Sequence, residues 1–227
     1  MSNKAPLNIR IKFEKKGCLQ YISHLDLVRT MHKVIVRAGL PLWYTEGFNP
    51  KPKMVFAAPL SIGTESLCEF MDIRLVEEKS TESVMAALNK NLTDELRVVE
   101  VYYPETKLTD LKWLAYDIRI KSPHITEEVF RLCLAALSAD EMKVEKKGGA
   151  GELDIKPLIK SVDASVSGNE MYIQAVLSAD ASSFLNPEYL VKYLRNSAGI
   201  LTDPNLLKES YSILRTAAYT ADMKEYR

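Results

Sequence analysis

The sequence predicts an α+β protein of two similar halves with antiparallel sheets, and three observations carry that prediction. At 227 residues the chain is long enough for two units, each able to bury its own core. Hydrophobic residues at 47% and charged residues at 26% fit a globular chain rather than a disordered one. Alternating and 3.6-periodic segments also follow one another in an order that is read once in residues 1–106 and again in 107–227, the two expected domains.

Asn8 to Phe13 alternates, with Ile9, Ile11 and Phe13 against Arg10 and Lys12, the period of a half-buried strand that Lys15-Lys16-Gly17 closes. Ser23 with Asp26 three residues on forms a variant capping box, and Gly39 before Pro41 is a stop, so a helix is expected over 24–38. Leu27, Val28, Met31, Ile35 and Ala38 make its apolar side, and Arg29, Lys33 and Arg37 recur every four residues as a basic stripe. Leu42 to Tyr44 and Met54 to Ala58, joined by a turn-rich connection, read as a hairpin. Its loop is expected at the sheet end opposite the start of the first helix. Phe70 to Val76 alternates as a strand, Ser80 caps a helix through Val84, Ala87 and Leu88, and Leu96 to Tyr103 closes the half.

The second half repeats the order: strand 112–121, helix 126–138, strands near 142–160 and 170–178, helix 187–198 and strand 207–218. Thr126 and Asn186-Pro187 mark helix starts and Gly199 a stop. Lys146-Lys147-Gly148-Gly149-Ala150-Gly151 reads as a loop and not a phosphate cradle, because neither Lys-Ser nor Lys-Thr follows. A β-α-β-β-α-β order in each half is that of two tandem ferredoxin-like domains.

Several functions are disfavoured by composition. No stretch approaches the ~20 apolar residues of a membrane span, and the first ten residues lack the apolar core of a signal peptide, so the cytoplasm is expected and no membrane. Cys18, Cys68 and Cys133 are too scattered for a disulfide framework, and no C-x-x-x-C-x-x-C triplet offers a cluster its ligands, so no cofactor is expected. His24, His32 and His124 form no ligand cluster in sequence, so no metal site is expected either. Net charge is zero, yet the first 60 residues hold ten basic and three acidic side chains and the remainder is correspondingly acidic. An anionic partner at the N-terminal end is implied.

Two segments are the expected site. Tyr21 to Leu27 followed by Arg29 sets an aromatic, the imidazole of His24, a carboxylate and a guanidinium around a helix start, where exposed N–H groups already favour anions. Gly47 to Lys53 combines Phe48, Asn49, Lys51 and Lys53 in a loop stiffened by two prolines, which suits stacking plus phosphate contact with single-stranded RNA. The RNA-binding set expected is therefore Tyr21, His24, Arg29, Lys33, Arg37, Phe48, Asn49, Lys51 and Lys53. The bland alternative has Ser23 and Asp26 only capping, Tyr21 packed, His24 solvated and Phe48 folded beneath a rigid loop.

Arg10-x-x-Phe13-x-Lys15-x-Gly17, Tyr21 through Leu27 with Arg29, Arg37 through Pro41, Gly47 through Lys53, and Pro59-Leu60-x-x-Gly63 resemble the signature of the radical-SAM-linked proteins. Leu153 to Ile159 and Asn186-Pro187 resemble the weaker second half of that family. Lys51 departs from it, standing where many members carry His. The resemblance implies a neighbouring or fused radical SAM protein as partner, in a setting of RNA handling and ribosome modification. Together with the residues it points to a non-catalytic RNA-binding or substrate-presenting partner of such an enzyme. Two other readings stand. In a metal-independent endoribonuclease of the tandem ferredoxin-like type, His24 would move the proton while Arg29, Lys51 or Lys53 stabilised the phosphorane. In a protein-protein adaptor, the acidic second half would dock the enzyme.

Overall fold

The structure, a computed structural model, describes residues 7–146, 148–149 and 151–227. The expected leader-free start, Lys4, and Lys147 and Ala150 of the glycine loop lie outside the described residues. Among the described residues the fold is α+β, with four α-helices and antiparallel strand pairing. It divides into two compact units, one running to Asp110 and taking in Arg227, the other Leu111–Tyr226. No described helix is long and apolar enough to cross a membrane.

The first unit follows the order β1 (Leu7–Lys15), α1 (His24–Arg37), β2 (Met54–Ala57), β3 (Thr64–Leu75), α2 (Thr81–Asn89) and β4 (Leu96–Tyr102). Its strands lie in the order β4-β1-β3-β2. Alternation sends Ile9, Ile11 and Phe13 of β1 and Met71, Ile73 and Leu75 of β3 to one face. There they form a single core with Leu27, Met31, Val34 and Ile35 of α1 and Val84 and Leu88 of α2. Both helices therefore cover the same face of this sheet. The caps are local chemistry: the Ser23 and Ser80 hydroxyls accept from the N–H groups of Asp26 and Ser83, at 3.1 and 3.2 Å. The Asp26 carboxylate accepts hydrogen bonds from the Ser23 hydroxyl at 2.7 Å and from Arg29 Nη1 at 3.2 Å.

Gly17, with φ +57°, turns the chain from β1 into a single 3-10 segment ahead of α1. Its N–H donates to Glu65 Oε1 at 2.7 Å, and the next N–H, of Cys18, to Glu95 Oε1 at 3.1 Å. A Cβ on Gly17 would stand 2.2 Å from that same Glu95 oxygen. Gly17→Ala is accordingly expected to lower stability by about 1–2 kcal/mol, read as a drop in the thermal midpoint, since an L side chain pays the left-handed penalty and displaces Glu95.

The second unit runs β5 (Trp113–Lys121), α3 (Glu127–Leu137), the short hairpin β6 (Lys143–Glu145) and β7 (Glu152–Asp154), then β8 (Ile159–Ser167), β9 (Glu170–Ser178), α4 (Glu188–Ala198) and β10 (Ser210–Tyr219). Its sheet order is β10-β5-β9-β8. Leu114, Tyr116, Ile118 and Ile120 of β5 and Met171, Ile173 and Leu177 of β9 are buried, as are Cys133 and Leu137 of α3 and Leu190 and Leu194 of α4. The strand expected near 142–160 is instead two things. Residues 143–154 form the β6–β7 hairpin, paired apart from the main sheet, and the sheet strand is β8, which starts only at Ile159. β8 is an edge strand with no fully buried residue, and its weak alternation, Val162, Ala164 and Val166, starts only after the irregularity between Ile159 and Ser161. The glycine loop closes the small hairpin through Lys146 N donating to Gly151 O at 2.8 Å.

Candidate functional site

Residues 41–57 form the edge of the first unit's sheet in an unusual way. Leu42 bridges to Leu75, and Trp43 N donates to Arg74 O at 2.8 Å, so this edge begins before the loop does. Lys53 N then donates to Trp43 O at 3.1 Å, and β2 continues along β3 from Met54. Residues 44–52 are thus a finger extruded from within the edge, closed by the Tyr44–Pro52 bridge and by Thr45 N to Lys51 O at 2.9 Å. The expected location between the second and third strands is corrected: the finger lies between α1 and β2. The actual β2–β3 turn sits at the start of α1, where Gly63 N donates to Gln20 O at 2.9 Å.

This order places the finger at the end of the unit where α1 finishes. His32 of α1 reaches Tyr44 at the finger's base, Nε2 to hydroxyl 3.3 Å. His24, eight residues and about 12 Å earlier along the helix axis, packs edge-on against Phe56 of β2, ring centroids 5.4 Å apart. His24 and the finger therefore occupy different ends of α1. Arg29 stands between, ion-paired to Asp26.

Burial thins the N-terminal basic excess. Arg10 and Lys15 are buried: Arg10 is held by Asp72, and Lys15 Nζ donates to Gln20 O at 3.2 Å. Lys16 pairs with Glu14 at 2.8 Å. Lys33, Arg37, Lys51 and Lys53 are exposed and, among the described residues, have no carboxylate partner. These four belong to the later half of α1, the finger and its exit. Phe48 at the tip is fully exposed rather than folded beneath the loop, Asn49 beside it is exposed, and Glu46 is the finger's one acid. Tyr21 is also exposed, at 66%, but it precedes α1 and so belongs to the His24 end. Leu25 and Val36 add exposed apolar area to the outer side of α1.

Sequence reasoning missed Arg74. It stands opposite Lys53 across the β2–β3 pair, Arg74 N donating to Lys53 O at 3.3 Å, and its guanidinium lies over the Trp43 indole, 5.8 Å to the ring centroid. It is a lone charge in a strand pattern, and only register brings it to the site.

Residues 8–187 match the model of a family described as "Uncharacterized protein conserved in bacteria (DUF2344)". No curated protein matches the chain. Among solved structures, one of an H/ACA RNP bound to a substrate RNA containing 2'-deoxyuridine is similar over 96% of this chain, at 9% identity and TM-score 0.50. The chain spans about half of that solved chain, 49% of its length, and the likeness is one of fold. A protein from Galdieria sulphuraria aligns over 93% of this chain and 99% of its own at 9% identity, but at TM-score 0.27 it carries no argument.

Proposed function

We propose, for a chain that belongs to this DUF2344 family of proteins conserved in bacteria, that its first unit binds RNA through the later half of α1 and the 44–52 finger. The observation that carries the reading is a run of exposed cations without a carboxylate partner among the described residues, Lys33 and Arg37 on α1 and Lys51 and Lys53 in and just after the finger, which His32 and Tyr44 join to the helix and which ends in the exposed Phe48 ring. Charge tracks phosphates without sequence preference, and an exposed ring gives a base something to stack on. A mixed surface of this kind suits a single-stranded or irregular segment better than a duplex groove. The fold likeness to a structure that contains RNA points the same way. Each unit reads as a ferredoxin-like domain by its strand order, β4-β1-β3-β2 and β10-β5-β9-β8. In this reading the protein works in the cytoplasm without catalysis of its own, presenting RNA to a radical SAM partner.

The test is binding of a labelled oligoribonucleotide across a salt series. Lys33→Ala, Arg37→Ala and Lys51→Ala combined should weaken binding about 10- to 100-fold and flatten the log–log salt slope by about 2. A folded triple variant with unchanged affinity and slope removes RNA and leaves the adaptor. The endonuclease finds less support, because His24 sits away from Lys51 and Lys53, and Arg29, the one candidate cation on its part of α1, is ion-paired to Asp26. RNA left uncut by the wild type from about pH 5 to about pH 9 would dispose of it, whereas cutting that His24→Ala abolishes would restore it.

A further inference from the structure

The sheet face of the first unit that α1 and α2 do not cover holds a second feature, separate from the outer side of α1. An open cleft of about 600 Å³ is lined by Asn8, Lys53, Val55, Asp72 and Arg74 from the strands and by the segment 103–108 that follows β4. That volume falls in the usual range for small-ligand sites. Its floor is rigid. Arg10 is fully buried, bound by both Asp72 oxygens at 2.7 and 3.0 Å, and donates to the Thr106 hydroxyl and carbonyl at 2.8 and 3.0 Å. The same bonds fasten the 103–108 segment over the sheet.

Above that floor the charges do not balance. Lys53 and Arg74 are directly opposite across an antiparallel pair, the arrangement in which like charges repel. Two carboxylates line the cleft, Asp72, whose oxygens both accept from Arg10, and Glu105, which shares the 103–108 segment with Lys107, so Lys53 and Arg74 remain in excess. Neither cation has a carboxylate partner among the described residues. An anion in the cleft would relieve the repulsion. Arg74 lies over the Trp43 ring at 5.8 Å from its centroid, a cation–π contact that uses none of its N–H donors and leaves them for oxygen acceptors. The remaining walls differ in kind: Tyr103 is 45% exposed, Val55 is 42% exposed, and the Asn8 side chain offers an amide. One end therefore suits phosphate, and the other an aromatic base with hydrogen-bonding edges.

We infer that this cleft binds a nucleoside monophosphate unit, its phosphate between Lys53 and Arg74 and its base against Tyr103. The ligand is a free nucleotide or one residue of an RNA chain, which share this chemistry. The inference stands apart from the α1 and finger surface, with Lys53 the residue where the two meet.

Full-length protein is titrated calorimetrically at low salt with UMP, CMP, AMP and GMP, and in parallel with inorganic phosphate and with uridine. At least one mononucleotide is expected to bind with a Kd below about 1 mM, and phosphate or nucleoside alone at least about tenfold more weakly. Arg74→Ala and Tyr103→Ala should each raise that Kd about 5- to 50-fold, while Lys33→Ala combined with Arg37→Ala leaves it unchanged. Loss of RNA binding in that double variant with mononucleotide binding intact separates this site from the proposed RNA surface. If the mononucleotide displaces an oligoribonucleotide from the protein, its source is a chain residue; if not, a free nucleotide. No binding of any mononucleotide up to about 10 mM, phosphate binding as tightly as nucleotide, or an unchanged Kd in folded Arg74→Ala would each overturn the inference.

Discussion

Asp72→Ala is expected to cost the protein about 3–5 kcal/mol, read as a large fall in the urea midpoint. The reason is Arg10, whose guanidinium has no exposure and meets Asp72 through a two-pronged contact, Nε to Oδ1 at 2.7 Å and Nη2 to Oδ2 at 3.0 Å. Removing the carboxylate takes away two charge-assisted contacts from a buried guanidinium, and Thr106 contributes only neutral oxygens. Burying a pair is close to neutral against an apolar pair of similar volume, whereas breaking one is not. Arg10→Met with Asp72→Leu should therefore recover most of the loss that either single change incurs. A cost below about 1 kcal/mol for Asp72→Ala would show that the guanidinium finds water or another acceptor, and that the floor of the cleft is not fixed as described.

Glu209→Ala is the second large effect, about 2–4 kcal/mol in the other unit. Glu209 is 2% exposed and is the acceptor for the Ser122 hydroxyl, for Leu201 N at 3.3 Å and for Asp203 N at 2.5 Å, so it pins the chain between α4 and β10. Burial alone would raise its pKa. The Ser122 hydroxyl and the two N–H donors outweigh burial and hold it below the usual glutamate value of 4.5. A carboxylate whose pKa is depressed on folding stabilises fully above its unfolded pKa and loses that contribution as pH falls through its folded value. The gap between wild type and Glu209→Ala should thus be widest near neutrality and narrow below about pH 4.5. A gap independent of pH from about 7 to about 3 would mean that the lost bonds do not depend on ionisation.

What could be read in advance depended on whether the signal was local. The helices could, because Ser23, Ser80 and Thr126 each cap the turn that immediately follows them. The central strands β1, β3, β5 and β9 could also be read, since burial on one face imposes period 2. The edge strand β8, with no buried residue, and the N-terminal part of β3, where the buried positions are Thr64 and Ser66, lack the strongly apolar residues that mark a strand. In the candidate site, Lys33 and Arg37 follow from helical spacing, and Phe48, Asn49, Lys51 and Lys53 from one short motif. Arg10 misled: alternation put it on the outer face, and only the 103–108 segment, remote in sequence, buries it. Asn8, Arg74 and Tyr103 are scattered over three strands and their ends, so no sequence window contains the cleft. The finger lies at the expected end of the unit, away from the start of α1, and only its place in the strand order differs, before β2 rather than after it.

The closure beneath that finger gives the protein a hinge-free insertion point. Because Trp43 N reaches Arg74 O and Lys53 N reaches Trp43 O, the edge is already sealed where the finger leaves and re-enters it. The nine-residue excursion can thus lengthen, shorten or change composition without altering the pairing of β2 with β3. Folding places few demands on residues 44–52 beyond the bridge at their base, so whatever partner the finger meets is free to set their identities. Grafting a different loop between Tyr44 and Pro52 would redirect recognition while leaving the scaffold that carries it intact.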